Sequence, residues 1–92
     1  MVWAELYRND PLVPNLSSRR KDPALLAFGD ALRRVRKAKS ISQEQLALIA
    51  VVDRSYVGRV ERGDNNVALL TLVQLAAALD TTVAGLMEQA GL

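Results

Sequence analysis

All three prolines of the chain, Pro11, Pro14 and Pro23, lie in its first quarter, and beyond Pro23 apolar residues recur at spacings of three and four. Proline removes a backbone donor and breaks helices, so a long tract without it, patterned at the helical period, is confined to an all-α fold. No period-2 strand pattern competes, although Val51-Val52 superficially suggests one. With only four aromatic residues (Trp3, Tyr7, Phe28, Tyr56), the core must be built from Leu, Val, Ile and Ala. Ninety-two residues suffice for one small domain.

Five helices are expected. The first spans about 23–39, opened by Asp22 as cap with Pro23 at the first helical position, and buries Leu25, Phe28, Leu32 and Val35. Ser42 caps a second at 43–50, with Leu46, Ile49 and Ala50 inward. Asp53 caps a third at 54–62, which stops at Gly63. A fourth, about 68–79, is apolar nearly all round, with Leu69, Leu72, Leu75, Ala76 and Leu79 assigned to the core. Thr82 caps a fifth at 83–90. Residues 1–22, rich in turn formers, read as an arm with one short helical turn around Trp3–Tyr7, and residues 23–92 as the domain.

The chain has neither cysteine nor histidine. Disulfides, thiol nucleophiles, the commonest general base and the commonest metal ligands are therefore gone. No cluster of carboxylates or activated hydroxyls replaces them, so the expectation is a binding module without cofactor, metal or catalysis. No apolar run approaches the roughly 20 residues of a membrane span, and no signal peptide is evident; a cytoplasmic location is expected.

The second and third helices, separated by a turn of about three residues at 51–53, form a helix-turn-helix. Ala47 is small enough for the two to cross closely. The outward face of the third carries Arg54, Ser55, Gly58, Arg59 and Arg62, and a major groove admits one such helix. A solvated basic face is the competing reading. The net charge of +2 hides an asymmetry: +4 over residues 23–39, and −3 over 64–92, which contain no Lys or Arg. One basic end and one apolar, mildly acidic end imply two surfaces with different partners.

Residues 28–87 resemble the Cro/phage-repressor/XRE class of bacterial and phage helix-turn-helix regulators. The resemblance is carried by Phe28–Arg36, by Ile41-Ser42-Gln43-Glu44-Gln45-Leu46-Ala47, by Val60-Glu61-Arg62-Gly63 and by Leu75–Leu79. Asp53–Val57 is similar to the recognition helix of restriction–modification controller proteins. The resemblance implies a compact five-helix, lambda-repressor-like DNA-binding domain with an N-terminal arm, acting as a transcriptional regulator or repressor on double-stranded DNA. It implies that Arg54, Ser55 and Arg59 read base edges, that Gln43, Tyr56, Asn65 and Asn66 hold phosphates, and that Arg36 and Glu61 form a buried structural ion pair. Arg62 joins the DNA-binding set from its place on the outward face.

The chain departs from the family's pattern at several points. Val51 stands where the family has glycine at positive φ, so the turn must be strained or different. Gly58 lies in mid-helix, and Val67-Ala68-Leu69 lacks a capping hydroxyl. Surplus apolar residues Leu70, Val73, Ala77, Val83, Met87 and Leu92 form an expected homodimer interface, unless the arm covers them. A dimer would read a pseudo-palindromic operator. RNA polymerase is a further possible partner. The alternative function is an antitoxin whose arm (Trp3, Leu6, Tyr7) binds a toxin; the basic run Arg19–Lys21 is either a DNA contact or solvated linker.

Overall fold

The computed structural model describes residues 20–92, which fold into five helices: α1 (Pro23–Ala38), α2 (Gln43–Ala50), α3 (Arg54–Glu61), α4 (Leu69–Ala78) and α5 (Val83–Ala90). The proposed turn around Trp3–Tyr7 lies outside the described residues. Helix boundaries agree with the sequence expectation to within one residue because most ends are locally encoded. Asp22 accepts from the Ala24 amide ahead of Pro23. Ser42 and Gln45 cap α2 reciprocally, with Ser42 Oγ accepting from the Gln45 amide at 3.0 Å and Gln45 Oε1 from the Ser42 amide at 2.8 Å. That capping box satisfies two otherwise orphaned donors. Thr82 accepts from the Gly85 amide at 2.9 Å.

Asp53 departs from expectation. It precedes α3 in extended conformation but makes no side-chain cap bond. Ala68 likewise leaves α4 uncapped, as its apolar side chain requires.

The core is Phe28, Leu32, Leu46, Ala47, Ala50, Val57, Val60, Leu75, Ala76, Leu79 and Leu86, drawn from all five helices. α1 crosses α3 at Gly29, where a Cβ would collide with the carbonyl oxygens of Val60 and Glu61. The two backbones therefore touch, and glycine is required by space. Two core assignments made from periodicity are corrected. Ile49 is 56% exposed, since the small residues Ala47 and Ala50 occupy the inner face of the short α2. Leu69 is 68% exposed because α4 begins beyond the edge of the core, which it enters only from Leu72 onward. Among the described residues, no single helix is long and apolar enough to cross a membrane.

Candidate nucleic-acid interface

The geometry of α2 and α3 is set at the turn between them. Val51 takes the left-handed conformation, φ 60° and ψ 50°, and the Val52 amide donates to the Ala47 carbonyl at 2.9 Å. The expected glycine conformation is thus kept without glycine, at a strain of about 1–3 kcal/mol. Val51 is 82% exposed, so packing supplies little of the compensation. α3 then returns with Val57 and Val60 fully inside.

A polar network fixes the angle at which α3 is presented. Arg36 on α1 donates through Nε to Glu61 Oε2 at 2.6 Å and through Nη2 to Oε1 at 3.1 Å. Its Nη1 donates to the Ile41 carbonyl at 2.8 Å. Both side chains are nearly excluded from water, at 9% and 3% exposure. Gln43 Nε2 completes the set by donating to Glu61 Oε1 at 2.9 Å. One carboxylate therefore ties α1, α2 and α3 together, and a bidentate Arg–carboxylate pair fixes direction as well as distance. Gln43, which the family resemblance gives a phosphate, spends one amide hydrogen on this network.

The outer face of α3 is open. Arg54, Ser55 and Arg59 are exposed, and Tyr56 is half-buried with the Arg59 guanidinium 5.8 Å above its ring. That contact lies within cation–π range and restrains a long side chain. Arg54 and Arg62 stand about 12 Å apart along the helix axis, at its two ends. Gly58, grouped with the outward residues on periodicity, is in fact buried beneath Arg62 and Gln43.

At the C-terminal end of α3 the structure shows a cluster that sequence reasoning missed. Asp64, 13% exposed, accepts from Arg62 Nε at 3.2 Å, and its other oxygen faces Lys21 Nζ at 3.4 Å and Arg20 at 3.8 Å. Lys21, at φ 63°, donates its amide to the Gly63 carbonyl and its ammonium to the Arg62 carbonyl. Burial pushes the Asp64 carboxyl up, but the Arg62 and Lys21 hydrogen bonds, with the charges of Lys21 and Arg20, hold it below the usual aspartate value. Residues 20–22, placed in the arm from sequence, are thus fastened to the domain. Asn65 and Asn66 follow this cluster in the loop to α4.

The second surface is divided. Leu70, Val73 and Ala77 form an exposed stripe on α4, with Leu70 77% exposed. Beside it, Ile49 and Val51 share a groove with Gln74, Ala77 and Ala78. Val83 and Met87, expected in the same patch, instead pack half-buried against the core, and Leu92 lines a separate groove with Phe28, Leu72 and Met87.

A helix-turn-helix family model matches residues 32–86. Control protein C.SmaI of Serratia marcescens is 48% identical over 65 residues, covering 71% of this chain and 77% of that protein. The immunity repressor protein of Bacillus phage phi105 is 33% identical over 64 residues, 70% of this chain and 44% of the repressor. Among solved structures, the restriction-modification controller protein C.AhdI from Aeromonas hydrophila is 52% identical with a TM-score of 0.67, over 67% of this chain and 94% of that one.

Proposed function

The chain belongs to the helix-turn-helix family, and from that premise we propose that it is a sequence-specific DNA-binding transcription regulator that acts as a homodimer. α3 enters the major groove, where Arg54 and Arg59 pair with guanine edges and Ser55 with either base type. Tyr56, Gln43, Asn65 and Asn66 hold the flanking phosphates and set the register. The α4 stripe of Leu70, Val73 and Ala77 joins two copies, placing two recognition helices about 34 Å apart on a pseudo-palindrome. Residues 23–92 form the DNA-binding unit. The chemistry required is recognition alone, with no reacting group and no cofactor.

One observation carries this reading. Arg54 and Ser55 make no side-chain hydrogen bond among the described residues, whereas Glu61 on the same helix lies in a buried network of three bonds. A helix rigidly held on one side, with unengaged donors on the other, is arranged to bind an external partner. The relatives favour operator binding over the antitoxin reading, since they are control proteins and a repressor. The toxin-binding role itself falls on residues 1–19, outside those described.

Selection of binding sites from random duplex DNA at near-physiological salt tests the proposal. An enriched pseudo-palindrome is expected, bound with an affinity that falls by about 0.9 log units per log unit of salt for each phosphate engaged. Arg54→Ala and Arg59→Ala should each cost about 1–3 kcal/mol and relax selection at one position of each half-site. Unselective or salt-independent binding would sink it.

A further inference from the structure

Gly58 is buried on the side of α3 that meets the start of α2. Arg62, one turn further on, folds back over it, and the Gln43 side chain covers it beside Arg62. A Cβ at Gly58 would stand 3.1 Å from Arg62 Nη1 and 3.7 Å from Gln43 Oε1. Asp64 holds the same guanidinium from the other side, accepting from Nε at 3.2 Å. A guanidinium has five N–H donors in a rigid fork. Asp64 takes the one on Nε, and the four on Nη1 and Nη2 have no acceptor among the described residues.

Asp64 is itself held in place. Its amide donates to the Arg59 carbonyl at 2.9 Å, and Lys21 and Arg20 face its second oxygen. One carboxylate, largely shielded, stands among three exposed cations, so the cluster stays net positive toward solvent. The guanidinium and the Gln43 side-chain oxygen flank the same Gly58 position, and Gln43 is the first residue of α2, where the positive end of the helix dipole lies.

Building on the reading of α3 as the DNA-facing helix, we infer that Gly58 and Asp64 are positioning residues. They lay the Arg62 guanidinium beside Gln43 and so form a two-sided seat for one DNA backbone phosphate. Gly58 supplies the bed by lacking a side chain, and Asp64 sets the direction by engaging Nε. A planar fork whose terminal donors are aligned before the ligand arrives binds phosphate without first ordering a long side chain.

The test measures fluorescence anisotropy with the selected operator and a scrambled duplex, across a salt series, alongside thermal melts. Arg62→Ala is expected to weaken both duplexes by a similar factor and to lower the salt slope by about 0.9, as one lost phosphate contact requires. Gly58→Ala is expected to raise Tm, because alanine is the better helix former and Nη1 is the free end of a flexible chain. It should at the same time weaken binding about two- to tenfold, the range for ordering one long side chain. A purely structural role would move stability and affinity together. Asp64→Asn is expected to weaken binding within that range with the salt slope unchanged, and to add nothing in the Arg62→Ala background. Tighter binding with a steeper slope in Asp64→Asn would overturn the inference, since the carboxylate would then merely oppose the phosphate. Wild-type affinity in Gly58→Ala, or altered base preference in Arg62→Ala, would overturn it as well while leaving the DNA reading intact. Failure of the wild-type chain to bind selectively would remove both.

Discussion

The unit formed by α1, α2 and α3 and the pair formed by α4 and α5 are held by different physics. In the first, a buried bidentate ion pair, a glutamine and a backbone carbonyl meet at one point, and the ends of α1 and α2 are capped by side chains. In the second, the polar contacts are the Thr82 cap on α5 and one exposed bond from Arg34 to the Gln89 carbonyl, while α4 contributes Leu75, Ala76 and Leu79 to the core and leaves Leu69, Leu70 and Val73 on the surface. Hydrogen bonds and ion pairs are directional, whereas apolar burial is not. Direction is therefore concentrated around the helix proposed to enter a groove, and non-directional apolar surface lies on the helix proposed to join two copies. A basic chain segment accompanies the first, and a stretch free of Lys and Arg the second.

The largest effect that can break this contrast comes from the ion pair. Arg36→Ala leaves the Glu61 carboxylate buried opposite Gln43 alone and is expected to cost about 3–5 kcal/mol in a denaturant or thermal melt. A loss under 1 kcal/mol would mean that α3 is held by packing, as α4 is. Next is Leu70→Glu, at an exposed position whose change should leave the monomer's melting nearly unaltered. It should weaken self-association by about 2 kcal/mol or more, the scale of a central interface residue. Sedimentation over a concentration series reads this directly, and unchanged association would move the interface elsewhere.

A smaller effect is expected at the turn. Val51→Gly releases left-handed strain at an exposed residue but adds unfolded-chain entropy, so a net gain of up to about 1 kcal/mol is expected. A destabilised variant would show that Val51 contributes packing after all. The Asp64 carboxyl is held below the ordinary value of 3.8, so protonation favours the unfolded chain. Its stabilisation is full above that value and is lost as pH falls through the lower, folded one. The stability gap between the wild type and Asp64→Asn should accordingly be constant near neutrality and close on acidification; a gap that widened would reverse the sign.

What the sequence made legible follows the range of the interaction. Ser42, Thr82, Asp22-Pro23 and Gly63 mark helix ends because a cap is completed within three residues. Arg36 and Glu61 were reachable only through family resemblance, since nothing local reports that residues 25 apart share a buried site. Ile49 and Leu69 were misassigned because periodicity counts apolar residues without knowing which face a core will use. Asp64 carried no signal at all. Its role depends on residues 20 and 21 returning to the end of α3, a contact that spans more than 40 positions. The Gln45 half of the capping box was not read from the sequence, although the spacing Ser42-x-x-Gln45 carries it.

That the side chains of Arg54 and Ser55 make no hydrogen bond among the described residues has an evolutionary consequence. In the proposed reading, changes at these two positions alter which bases are read without touching Val57, Val60 or the Glu61 network on the opposite face. Preference for a new operator can then be acquired in single steps, each leaving the domain as foldable as before. Divergence in specificity and conservation of architecture become independent, which suits a scaffold to repeated reuse with different targets.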